Sequence, residues 1–149
     1  MLQIIYSTEK GQTKTVAGSL FSLLKAKNIS ISEPISTKDI MPAQVNSDFV
    51  YLTSTFFDGD HPSSANRGMN FFAESEEFIN NFNGKKYAVF GIGSSRHEKH
   101  NYAAIDADNI FMKLGGQRMI QLYKFDRASK ESLEDYLSDW ASCIIEKFK

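Results

Sequence analysis

Near the N-terminus, Ser7, Thr8, Glu9, Lys10, Gly11, Gln12 and Thr13 interrupt an apolar pattern with groups that suit an anion. The hydroxyls of Ser7, Thr8 and Thr13 can donate hydrogen bonds, and Lys10 carries a full positive charge. Gly11 lets backbone N–H groups point inward with no side chain in the way. A helix beginning near Thr13 would add the positive end of its dipole. The spacing is neither G-x-x-x-x-G-K-[ST] nor G-x-G-x-x-G, so the familiar nucleotide fingerprints are absent. Taken by itself, the stretch is equally an N-capped helix after a turn.

Two further polar stretches carry recognisable chemistry. In Thr53–Arg67 an aromatic pair, Phe56 and Phe57, stands between the hydroxyls of Ser54 and Thr55 and the turn residues Asp58 and Gly59. A Phe in a loop of this kind suits stacking on a flat ligand more than it suits a core. In Val89–Asp106, two glycines, Gly91 and Gly93, flank Ile92 and precede Ser94, with His97 and Asn101 following. The glycines would let backbone approach a ligand edge, although turns after strands use glycine for steric reasons too. His97 suits ring stacking or a solvated loop, and Asn101 a helix start or a backbone-organising side chain. His61 and His100 read as surface residues. No cysteine or carboxylate spacing around the histidines suggests a metal, and no nucleophile or acid–base pair can be assigned.

The elements that must position these loops alternate. Short apolar runs occur at Leu2–Tyr6, weakly at Ile29–Ile31, and at Phe49–Thr53, Tyr87–Phe90 and Met119–Tyr123. Between them lie helical periodicities: about Thr13 to Lys27, around Phe71, Phe72, Phe78 and Ile79, and Ala103 to Leu114 with a stop at Gly115–Gly116. The last begins at about Lys130, with Leu133, Leu137, Trp140, Ile144 and Phe148 inward and Ser129 with Ser132 available as caps. Strand and helix in alternation predict a parallel sheet with helices on both faces, wound in one of a few doubly wound orders. Ligands in such α/β folds sit beyond the carboxyl ends of the strands. The three loops leaving those ends are Ser7–Gln12, Ser54–Ala65 and Gly91–Asn101.

Composition fits this reading. The chain has 149 residues, 42% hydrophobic and 23% charged, which predicts one globular domain over 1–149. A net charge of −1 gives no footprint for nucleic acid or a membrane surface. Neither a membrane-spanning run nor a signal peptide is expected. The single cysteine, Cys143, cannot form an internal disulfide and predicts a cytoplasmic setting, with the thiol as a small core group.

With all three loops in order, the sequence resembles the flavodoxin-like FMN-binding domains. T-E-K-G-Q-T at Thr8–Thr13 is similar to their T-x-T-G-x-T phosphate loop, and S-T-F-F-D-G-D at Ser54–Asp60 to S-T-[YF]-G-x-G-[DE]. G-I-G-S at Gly91–Ser94, with His97 and Asn101, resembles their third loop. The short, stand-alone MioC-type flavodoxins share G-I-G-S, the A-I-D at Ala104–Asp106 and a Trp in the last helix; the FMN domain of diflavin reductases is also similar. The resemblance implies a five-stranded parallel sheet of order 2-1-3-4-5. It places the FMN phosphate on Thr8–Thr13 and the ring between Phe56 and His97, where the family more often has Tyr. Two departures stand out. Lys10 replaces a hydroxyl with a cation, which still suits a phosphate. Phe57 replaces a Gly, which bears on redox behaviour more than on binding. The implied function is an FMN electron carrier between an NAD(P)H-dependent flavodoxin reductase and an acceptor redox enzyme, with iron–sulfur enzymes among the acceptors. The competing implication is an FMN-dependent quinone or protoporphyrinogen oxidoreductase. A receiver-type signalling module is excluded, because Ser7 and Ser54 stand near the positions where it needs acidic residues.

Overall fold

A computed structural model of the chain describes residues 1–55, 59–62, 72 and 74–148. The first strand, β1 (Leu2–Ser7), is buried along its whole length, as an apolar strand covered on both faces should be. α1 (Gln12–Ala26) follows, then β2 (Ile35–Ser36), a 3₁₀ turn (Pro42–Gln44) and β3 (Asp48–Ser54). α2 (Glu76–Phe82), β4 (Lys86–Gly93) and α3 (Tyr102–Lys113) come next. β5 (Gln117–Arg118), β6 (Tyr123–Asp126) and α4 (Leu133–Lys147) complete the order. All pairings are parallel, and the strand order β2-β1-β3-β4-β5 is the expected one, with β6 also paired to β4.

Two strands differ from their expected bounds. The expected second strand, Ile29–Ile31, makes only the bridge Leu2↔Ile31, and the ladder resumes at Ile5↔Ile35. The edge therefore gains one residue on β1 between these points, across Pro34, which has no N–H to give to a ladder. The expected fifth strand, Met119–Tyr123, falls largely in the gap between β5 and β6. Its apolar side chains mark packing on both sheet faces, Ile120 on one and Leu122 on the other. Of the paired residues around it, Gln117, Arg118, Lys124 and Asp126 are polar, as an edge strand allows, and Phe125 packs into the core.

Alternation along each strand divides the core into two layers. Ile4, Val50, Leu52, Ala88 and Phe90 face α1 and α4, where Leu20, Leu24, Leu137, Trp140 and Ile144 meet them. Ile5, Phe49, Tyr51, Tyr87 and Val89 face α2 and α3. Phe111 sits at the centre of the second layer, with ring centroids 4.9 Å from Phe49, 5.4 Å from Tyr51 and 5.3 Å from Phe82. Local signals fix the helix ends. Ser75 and Ser132 cap α2 and α4 by accepting from Phe78 N–H and Asp135 N–H. Ser129 instead bonds the Asp126 carbonyl inside the preceding turn, so α4 starts at Leu133 rather than near Lys130. After α3, Gly115 takes φ +89°, the left-handed step that ends the helix.

The loop after β4 is fastened to the strand beside it. Asp126, at the end of β6, accepts from Ser95 N–H at 2.8 Å and Ala128 N–H at 2.9 Å through the same oxygen. The Arg127 N–H donates to the Gly93 carbonyl at 2.8 Å.

Phe111→Ala should destabilise the protein by about 3–5 kcal/mol, read as a fall in the denaturant midpoint, because a rigid aromatic cluster cannot collapse around the void. A second expectation concerns acid. Hydrogen bonds from Ser95 and then from the Ala128 amide hold the Asp126 carboxyl below its ordinary value of 3.8. Its contribution is therefore complete above that value and is lost as pH falls through the lower folded-state value. Thermal melts between pH ~2 and ~6 should show a shallower acid decline for Asp126→Asn than for the parent. Identical declines would show that the carboxylate holds nothing.

Candidate functional site

The carboxyl ends of the parallel strands all open on one side, and there the chain forms a cleft of about 240 Å³. Thr8, Glu9, Lys10 and Gln12 line it from the loop after β1, and Ser54 and Thr55 from the end of β3. Ile92, Gly93, Ser94 and His97 line it from the end of β4, joined by His100 and Arg127. The three loops singled out in the sequence thus meet in one place. Phe56, Phe57 and Asp58 lie outside the described residues, as does Phe71.

The first loop is shaped as an anion holder should be. Gly11 takes φ +89° and caps α1 without a side chain, and a Cβ built there would meet nothing within 4 Å. The Gly11 N–H donates to Thr8 Oγ1 at 2.8 Å, drawing the loop into a tight turn. The first N–H groups of α1, beginning at Gln12, have no intrahelical acceptor, as at any helix start. Thr13 is fully buried, and its Oγ1 has no hydrogen-bond partner among the described residues. A buried hydroxyl is ordinarily satisfied, so this one calls for an acceptor. Beneath the loop, Ser7 Oγ bonds Thr37 Oγ1 at 2.6 Å and also the Tyr51 hydroxyl, joining the end of β1 to a side chain from the middle of β3 and to the segment after β2. Burial pushes the Tyr51 phenol up to about 12, so it stays neutral and serves as a hydrogen-bonding group.

The second and third loops are clasped to α3. Thr55 N–H donates to the Ile92 carbonyl at 2.9 Å, and Thr55 Oγ1 accepts from Ala103 N–H at 3.2 Å. Gly59, at φ +103°, passes so close to Lys99 that a Cβ would stand 3.1 Å from the lysine Cβ. His61, expected at the surface, is instead half-buried and lies 2.6 Å from the Asp106 carboxylate on α3. His97 and His100 are both exposed, and both line the cleft.

Asn101 fills both of the roles open to it from sequence. It precedes the first residue of α3, in a left-handed conformation at φ +61°, and it is buried. Its Nδ2 donates to the Phe125 carbonyl on β6 at 3.1 Å. The glycines before it have a reason beyond ligand approach. A Cβ on Gly91 would come within 2.5 Å of Ala104 Cβ and 2.6 Å of Asn101 Oδ1, and one on Gly93 within 2.7 Å of Asn101 N. They are small because the start of α3 presses on β4.

Sequence reasoning missed two cleft residues, His100, which it read as a surface residue, and Arg127. The signal for Arg127 was a polar turn, Asp126–Ser129, at the carboxyl end of the last strand. Ending that strand at Tyr123 hid it, because the turn then appears to lie past the strand end.

Comparison with known proteins agrees with this geometry. The Flavodoxin family model matches residues 4–140. The chain is 28% identical over 149 residues to the inducible nitric oxide synthase of Bos taurus, covering 98% of this chain and 12% of that protein. It is 24% identical over 147 residues to NADPH-dependent diflavin oxidoreductase 1 of Candida albicans, covering 97% and 25%. This chain therefore spans an eighth to a quarter of the length of these curated relatives. In fold it is similar to oxidised flavodoxin 2 of Bacillus cereus, with a TM-score of 0.81 at 20% identity over 99% of both chains. It is also similar to a Fusobacterium nucleatum flavodoxin solved with flavin mononucleotide, with a TM-score of 0.78 at 18% identity over 99% of this chain and 98% of that one. A family match across nearly the whole of a chain whose strand order and convergent loops already agree with it leads to one conclusion: the protein belongs to the flavodoxin family.

Proposed function

We propose that this chain is a single FMN-binding domain that carries electrons between redox proteins. The observation that carries the reading is Thr13 Oγ1, buried at the first turn of α1 with no partner among the described residues. A phosphate at the mouth of the Thr8–Thr13 loop would supply the missing acceptor, and Lys10 and the open backbone around Gly11 would complete its surroundings. FMN supplies the electron chemistry when bound, and the protein supplies placement, shielding and charge. Ser54 and Thr55, with Gly93, Ser94 and His97, form the remaining walls against the ribityl chain and ring. Phe56 is the stacking group that the resemblance assigns to the opposite face.

An NAD(P)H-dependent reductase is the donor in this reading, supported by the likeness to a portion of an NADPH-dependent diflavin oxidoreductase. The acceptor is a redox enzyme reached through the exposed rim near His97 and His100, with an iron–sulfur enzyme the first candidate. Gly91–Ser94, Ala104–Asp106 and Trp140 in α4 favour the stand-alone MioC type within the family. No helix among the described residues is long and apolar enough to cross a membrane. The proposed setting is the cytoplasm.

Apoprotein titrated with FMN and with riboflavin tests the phosphate site. Thr13→Val should weaken FMN by tenfold or more, since a hydrogen bond to a charged group is worth about 1.5–3 kcal/mol. Riboflavin should be nearly unaffected, and equal losses for both ligands would make Thr13 a structural hydroxyl only. For the carrier role, stopped-flow mixing of the FMN-loaded protein with NADPH alone should give slow reduction. A catalytic amount of a flavodoxin reductase should accelerate it by orders of magnitude. Rapid NADPH–quinone turnover without any reductase would favour the enzyme reading instead.

A further inference from the structure

Arg127 stands outside the Thr8–Thr13 loop, yet it lines the same cleft as His97 and His100. Its backbone is pinned to Gly93, so the side chain starts from a fixed point. The residue is exposed overall, and partial desolvation lowers its pKa from the ordinary arginine value while leaving it a cation at neutral pH. His61–Asp106 and Arg118–Asp108 are ion pairs, and Arg127 is in neither. The nearest carboxylate in sequence, Asp126, is engaged with two backbone amides. A cation in no ion pair among the described residues favours negative charge in the cleft it lines.

Topology says which end of the cleft that is. Between β1, which carries the phosphate loop, and β6, which carries Arg127, lie β3 and β4. At ~4.8 Å per strand spacing the two strand ends stand roughly 14 Å apart. Lys10 serves the first end and Arg127 the other, where the loop after β4 contributes His97.

We propose that Arg127 sets the reduction potential of the bound cofactor, raising it by stabilising the negative charge that reduction adds. The proposal rests on the FMN reading above. A hydride equivalent passed from an NAD(P)H-linked reductase brings two electrons and one proton. At neutral pH the fully reduced flavin thus holds one more negative charge than the oxidised form, and the pyridine nucleotide leaves oxidised. A fixed cation at that end of the cleft favours the reduced form, through a medium less polar than water.

Spectroelectrochemical titration of the FMN-loaded protein tests this. Arg127→Gln should shift the ratio of reduced to oxidised affinity by about tenfold, a midpoint lower by about 30 mV for a two-electron couple. Arg127→Lys should keep most of the parent value, and Arg127→Glu should fall further than Arg127→Gln. The parent's advantage over Arg127→Gln should shrink as salt rises from ~0.01 to ~1 M, because part of the field crosses water. Equal midpoints for parent, Gln and Glu forms would overturn the proposal while leaving the FMN reading intact. So would a variant that loses FMN but keeps riboflavin, since that would place Arg127 on the phosphate. A folded parent protein that takes up no FMN would instead overturn the carrier reading, and this proposal with it.

Discussion

The start of α3 presses into the end of β4, and the ends of β3 and β6 take their positions in the cleft from that contact. Asn101 lies against Gly91 and Gly93 at distances that leave no room for a Cβ on either strand residue. The approach is possible because the strand gives up two side chains and because Asn101 adopts a left-handed conformation, which asparagine tolerates better than most residues. From that fixed point Asn101 reaches across to the Phe125 carbonyl, tying α3 to β6. Ala103 then fastens Thr55, so the loop after β3 is held by the same turn. Three strand ends are thereby locked to one helix start, and close-packed interiors transmit such constraints with little slack.

The phosphate loop is held differently, by hydroxyls from below. Ser7, Thr37 and Tyr51 form a buried cluster that joins neighbouring strands without a charge. A neutral floor adds no charge of its own beneath Glu9, Lys10 and the α1 N-terminus. With Arg127 at the other end, the cleft carries cations near both of its limits. The chain as a whole has a net charge of −1, so this arrangement is local, made by which side chains the loops turn inward.

Much of the fold was legible in the chain because its signals are local. The stripe Ala103–Leu114 ended by Gly115, the serine before α4 and the continuous apolar runs of β1, β3 and β4 follow from periodicity and capping alone. The edge strands were not legible in the same way. They are short and paired on one side, so their bounds depend on where the neighbouring strand offers a ladder; Pro34 and the gap at Met119–Leu122 moved them. His61 was misjudged for a related reason. A histidine beside a turn looks solvated until α3 brings Asp106 to it from 45 residues away.

The sequence by itself determined the class of fold, the three polar loops and the presence in the first of them of groups that suit an anion, hydroxyls, a glycine and a lysine in series. Only the tertiary structure decided that these loops share one cleft and that Thr13 is buried without a partner among the described residues. It also gave Gly91 and Gly93 their steric reason and brought Arg127 into the site. The physical reason is range. Helix periodicity and capping act over a few residues, whereas parallel strands gather their carboxyl ends from positions far apart in the chain, and what those ends enclose depends on every crossover between them.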